Sequence, residues 1–80
     1  MSNQREGDLI VTEDGAVVAK GDVVYNYYDM WPGQIVTNPD DQGWFYVKPL
    51  KGVERQQQAL LNGPRICSLA FAKRRGFKFP

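Results

Sequence analysis

Side-chain chemistry needs a base, a nucleophile or a metal ligand, and this chain is poor in all three. It has no histidine and one cysteine, Cys67, so the commonest general base, proton shuttle and metal ligand is missing. One cysteine excludes an internal disulfide and a cysteine-rich zinc site. Cys67 sits between Ile66 and Ser68 with no histidine to activate it, and reads as a core residue. Asp40 and Asp41 lie in a loop-forming stretch without the spaced oxygens that calcium requires, and read as a solvated turn. Nothing marks Asp22 and Asp29 beyond turn chemistry. The chain is read as non-enzymatic, with no cofactor and no metal.

Rings and cations are plentiful instead. The ten aromatics exceed what a thin core consumes, and tyrosine and tryptophan dominate interface hot spots. Tyr28, Trp31, Trp44 and Tyr46, with Lys48 and Lys51, form the expected contact patch. Near the C-terminus Lys73, Arg74, Arg75 and Lys78 interleave with Phe77 and Phe79, a pattern suited to phosphates and stacked bases. The net charge of +1 hides an asymmetry. Residues 1–47 carry two basic against eight acidic groups, or −6, and residues 48–80 carry eight basic against one acidic, or +7. Such a split predicts an acidic and a basic surface if the fold keeps the halves apart.

The strands and turns that carry these groups are short. Eighty residues make one domain that buries about 60–65% of its unfolded surface. No apolar run approaches the ~20 residues of a membrane helix, and the polar start is no signal peptide. The expectation is a cytoplasmic domain over residues 8–76, with a flexible start at 1–7 and a tail at 77–80. Leu9-Ile10-Val11 and Ala16-Val17-Val18 flank Asp14-Gly15, a strong hairpin signal. Val23 to Tyr28 predicts a strand, Asp29 to Gly33 a break, and Gln34 to Thr37 the next strand. Residues 38–43 form a loop by composition. Trp44 to Lys48 predicts a strand with Phe45 and Val47 on one face and Trp44 and Tyr46 on the other. Glu54 to Leu61 leans toward strand. Pro64 cannot donate the N–H that a two-residue Asn62-Gly63 hairpin needs, so a looser turn leads into Arg65-Ile66-Cys67. Ser68 is a fitting N-cap for a helix over Leu69 to Arg75, closed by Gly76. Five or six short strands of this spacing predict an all-β barrel or sandwich.

Gly21-Asp22-x-Val24, then Tyr28, Trp31-Pro32-Gly33-x-Ile35 and Gly43-Trp44-x-x-Val47 resemble the pattern of a Tudor domain, one of the SH3-like small barrels. The likeness covers roughly residues 20–67. It implies a bent sheet of about five antiparallel strands, with Val24 and Asn26 pointing inward and Tyr28 at the rim. An inward Asn26 needs hydrogen-bond partners. Tudor domains often bind methylated lysine or arginine in an aromatic cage, and the resemblance puts Tyr28 and Trp31 at the first two cage positions. The positions after Val47 offer Lys48 and Lys51, each repelling a bound cation by about 1 kcal/mol at ~4 Å in water-like dielectric. An acidic or phosphate-bearing partner suits that surface better.

Three readings of function result. The first is a non-enzymatic module that recognises an acidic protein partner through the aromatic and lysine patch, with Lys73, Arg74 and Arg75 steering the approach. The second is a nucleic-acid-binding barrel that uses the basic C-terminal half. The third, from size and charge polarity alone, is a stoichiometric inhibitor, such as a phage product blocking a bacterial nucleoprotein complex.

Overall fold

The computed structural model describes residues 8–52 and 57–79. In chain order the elements are β1 (Ile10–Val11), β2 (Val17–Val18), β3 (Val23–Asn26), β4 (Trp31–Ile35), β5 (Phe45–Pro49) and β6 (Ala59–Leu61). A single 3-10 turn over Gly63–Arg65, β7 (Ile66–Cys67) and helix α1 (Leu69–Arg74) complete them. β1 and β2 pair as a hairpin, and the other strands make one curled antiparallel sheet in the order β6-β5-β4-β3-β7. The fold is mainly β with a short C-terminal helix, as the spacing of strand and turn signals predicts, and the curled five-strand sheet is compatible with an SH3-like barrel.

Alternation decides which side chains enter the barrel. Phe45 and Val47 of β5 point inward, and Tyr46 and Lys48 point outward. The inner cluster joins Val24, Trp31, Ile35, Phe45, Val47, Leu61 and Ile66, and Ile10 of the β1–β2 hairpin closes over it. Trp31 is the largest of these buried side chains. Its ring fits because Gly33, its same-face neighbour on β4, has no side chain. A Cβ there would meet the Lys48 carbonyl at 2.6 Å, Val47 Cγ1 at 2.6 Å and the Trp31 ring at 2.8 Å.

β3 is buried on both faces. Val24 joins the barrel core, while Tyr25 and Cys67 of β7 face the other way under Ala72, with Leu69, Phe71 and Phe77 packed around them. α1 therefore lies on the outer face of β3–β7. Ser68 Oγ accepts the Phe71 N–H (3.1 Å) as the expected N-cap. The helix ends at Arg74, one residue short of the expectation, with Arg75 as C-cap and Gly76 at φ +76°. Beyond it Phe77 stacks on Tyr25 at 5.6 Å between centroids, Phe79 lies 5.1 Å from the same ring, and the Tyr25 hydroxyl donates to the Lys78 carbonyl (2.6 Å). Asp14, in the β1–β2 turn, fastens the hairpin to the start of α1. Its carboxylate accepts from Thr12 Oγ1 (2.5 Å), the Ser68 N–H (2.9 Å) and Ser68 Oγ (2.7 Å).

Several expected strand boundaries move. The strand from Val23 stops at Asn26 rather than Tyr28, because the Asn26 side chain turns the chain on itself. Its Oδ1 accepts the N–H groups of Tyr28 (3.1 Å) and Asp29 (3.2 Å), its Nδ2 donates to Asp29 (3.1 Å), and its carbonyl accepts the Met30 N–H (2.8 Å). These partners are what a fully buried asparagine needs. The expected break at Trp31-Pro32-Gly33 is instead the start of β4. Pro32 is tolerated because the Leu50 N–H donates to its carbonyl (3.2 Å) at the end of the β4–β5 ladder, where only the reciprocal bond is missing. The strand expected over Glu54 to Leu61 is realised as Ala59–Leu61, and residues 53–56 lie outside the described residues.

Candidate functional site

The turn that Asn26 organises carries Tyr28 to the rim, 58% exposed. Tyr27 beside it donates its hydroxyl to the Pro64 carbonyl, tying the 3-10 turn to the end of β3. Burial, with the nearby Glu13, pushes the Tyr27 phenol above its ordinary value, so it stays a donor.

Trp44 is placed by its own loop. Asp40 Oδ1 accepts the N–H groups of Gln42 and Trp44 (both 2.9 Å), and the Asp40 N–H donates to the Trp44 carbonyl (2.8 Å). The Trp44 and Gln42 N–H groups hold the Asp40 carboxyl below the usual aspartate range. Gly43, at φ +89°, permits the reversal. Asp40 is thus the organiser of the loop that delivers an aromatic side chain.

The two rings are joined by Arg65, at the end of the 3-10 turn. Its guanidinium carbon lies 4.9 Å from the Tyr28 ring centroid and 5.3 Å from that of Trp44. Each contact at a half-exposed site is worth about 0.5–1 kcal/mol. Among the described residues no carboxylate or carbonyl pairs with this guanidinium.

From Trp44 the strip continues along the outward face of β5. Tyr46 is 41% exposed opposite Leu60 of β6, itself exposed, and Lys48 stands exposed opposite Gln34. Of the expected contact residues the structure therefore brings together Tyr28 and Trp44 through Arg65, and aligns Trp44, Tyr46 and Lys48 on one face. Lys51 is exposed in the turn after β5 and touches none of these rings. Trp31 corrects the expectation. It is 2% exposed and packs in the barrel core, because β4 begins at Trp31 and alternation turns residues 31, 33 and 35 inward. It has no surface to offer a partner.

Lys73, Arg74, Arg75 and Lys78 are exposed on α1 and the segment after it. None forms an ion pair with the acidic half among the described residues. Lys73 lies over Phe79 (5.8 Å) and Arg75 over Phe71 (5.6 Å). A ring series links this region to the rim: Tyr25 to Phe77, Phe77 to Tyr27 (6.4 Å), Tyr27 to Tyr28 (5.4 Å).

Sequence reading missed Arg65. It stands 37 residues from Tyr28 and 21 from Trp44, and no local signal links positions that meet only when β7 pairs with β3. Among the described residues no group of carboxylates or thiols is arranged to hold a metal ion, and no helix is long and apolar enough to cross a membrane. No protein-family model matches the chain, and neither curated proteins nor solved structures include one significantly similar to it.

Proposed function

We propose that this chain is a non-enzymatic binding module that recognises an acidic protein partner through the strip formed by Tyr28, Arg65, Trp44, Tyr46 and Lys48. The observation that carries the reading is Arg65. A guanidinium held between two rings, with no anion paired to it among the described residues, is pre-organised, so little side-chain entropy is lost when it takes a carboxylate. Exposed Tyr28 beside it, and Tyr46 on β5, supply rigid apolar contact area, the composition of interface hot spots. The cations on and after α1, which pair with no acid among the described residues, add long-range attraction and raise the association rate with an acidic surface.

A second reading is favoured by one observation of its own. The rings from Phe77 to Tyr28, bordered by Lys73 and Arg75, have the mixture of stacking platforms and cations that single-stranded nucleic acid uses. Fluorescence polarisation with labelled single- and double-stranded oligonucleotides, at low and physiological salt, separates the two. Acidic-protein recognition predicts no saturable oligonucleotide binding, and affinity for an acidic partner lost in Trp44→Ala or Arg65→Ala. Saturable binding with a steep salt slope, lost in the Lys73/Arg74/Arg75→Ala triple variant, makes nucleic acid the target instead.

A further inference from the structure

The five-strand sheet has two edges, and the fold treats them differently. At β7 the Ile66 carbonyl accepts the Glu13 N–H (2.9 Å), so the β1–β2 hairpin meets that edge. β6 is the other edge. In an antiparallel ladder the N–H and C=O of one residue face the same neighbour, and successive residues alternate sides. The Tyr46 carbonyl accepts the Val36 N–H (2.9 Å) and its N–H donates to Thr37 Oγ1 (2.9 Å), so both face β4. Phe45 and Val47 therefore bond Leu61 and Ala59, and the N–H and C=O of Leu60 turn to the outer edge. Among the described residues neither group has a partner. The Leu60 side chain is 48% exposed on the outward face, opposite exposed Tyr46. Sheet edges are commonly blunted by a lysine or a proline. Here the eight residues from Gln56 to Gly63 contain no charge and no proline.

We propose that β6 pairs antiparallel with the β6 of a second copy, about a two-fold axis at Leu60. Each Leu60 N–H donates to the other copy's Leu60 carbonyl, which satisfies the open groups of both. The edge is self-complementary, as a two-fold contact requires. Leu60 meets Leu60, Gln58 stands opposite Asn62, and Tyr46 and Leu60 of both copies form one apolar row across four strands. Charge selects the occupant. The edge offers no counter-charge to an acidic or basic strand, and a neutral copy of itself needs none. The antiparallel sense also sets the Lys48 end of one β5 level with the exposed Asp40-Asp41 loop of the other, about 14 Å or three strand spacings away. Opposite charges thus lie at both ends of the pair. The contact is short, so the dimer is weak and reversible. It uses neither Arg65 nor Trp44, and stands apart from the acidic-partner reading.

The test follows the full chain, labelled with nitrogen-15, from micromolar to millimolar concentration by sedimentation and by amide spectra. The expected result is a mass that rises from 9.1 kDa toward twice that value, with saturable shifts and slowed hydrogen exchange at the Leu60 amide. Leu60→Lys sets like charges opposite each other at the axis and weakens self-association about tenfold or more. Its spectrum at low concentration reports that it is folded. Leu60→Cys gives a second readout, since Cα atoms of such a pair lie about 5.5 Å apart, within disulfide reach. Under mild oxidation it cross-links about tenfold faster than Val17→Cys, a more exposed position. Cys67 is buried and does not compete. A monomer at millimolar concentration with an unmoved Leu60 amide overturns the proposal, as does equal cross-linking of the two cysteine variants. A dimer that survives Leu60→Lys, with shifts at Val11 and Val17, moves the contact to the hairpin and overturns it. Mass growing beyond a dimer overturns it in favour of head-to-tail association. A Leu60 amide that shifts only when an acidic protein is added overturns the second copy and leaves the proposed function standing.

Discussion

Replacing Asp14 by alanine tests how the hairpin and the helix are held together. The carboxylate accepts three hydrogen bonds, from Thr12 Oγ1, the Ser68 N–H and Ser68 Oγ. Ser68 in turn caps α1, so the acid orients the cap from a residue 54 positions away. A net hydrogen bond contributes about 0.5–1.5 kcal/mol, and partial exposure of Asp14 favours the lower half of that range. The three together give about 2 kcal/mol, which in a domain of this size lowers Tm by about 8–16 °C. Urea unfolding followed by tryptophan fluorescence measures it, since buried Trp31 reports loss of the core. The pH dependence follows from the same contacts. Partial burial raises the Asp14 pKa, but the bonds from Thr12 and Ser68 outweigh it and hold the carboxyl below the ordinary aspartate value. A depressed folded pKa contributes stability above the unfolded value, near pH 4, and loses it as pH falls through the folded one. The gap between the native protein and Asp14→Ala is therefore full at pH 7 and narrows on acidification. A variant within ~0.5 kcal/mol of the native protein at pH 7, or a gap that stays as wide in acid, refutes the argument.

Gly63→Ala places a Cβ 2.2 Å from the Val11 carbonyl and costs about 1–3 kcal/mol in chemical denaturation, since both partners are backbone. Met30 holds φ 67°, a conformation costly for a side chain with a Cβ, so Met30→Gly raises stability by about 1 kcal/mol in the same assay. Burial, with Asp14 nearby, pushes the Cys67 thiol up to about 11. A thiol-reactive disulfide reagent at pH 8 therefore leaves the folded protein untouched and reacts on unfolding. Above the ordinary thiol pKa the unfolded chain loses this proton first, so the cysteine's contribution to stability falls as pH rises toward 11.

Local chemistry was readable wherever neighbours in sequence were also neighbours in space. The hairpin followed from Asp14-Gly15, the inward Phe45 and Val47 from alternation, and the helix from Ser68 and Gly76. Pro64 ruled out a tight two-residue turn for the same kind of reason, a missing donor at a fixed offset. These depend on φ preferences, capping and period, all of which act within a few residues. The absence of histidine and the lone Cys67 bounded the chemistry at the level of composition.

Facts that turn on distant contacts were settled by the folded packing alone. Asn26 ends its strand because the barrel buries it and its own turn satisfies it, a balance that no propensity records. Pro32 and Gly33 look like a break in sequence and become strand, because Gly33 makes room for the Trp31 ring between β4 and β5. That packing turned an expected contact aromatic into core. Arg65 acquired its position from the opposite cause. It stays only half-buried, and pairing of β7 with β3 and the Asp40 loop brought Tyr28 and Trp44 to either side of it. Residue types announced that rings and cations would meet on this protein. Which rings stayed outside, and which cation they hold, was fixed by long-range packing, whose energy depends on partners that the local chain does not contain.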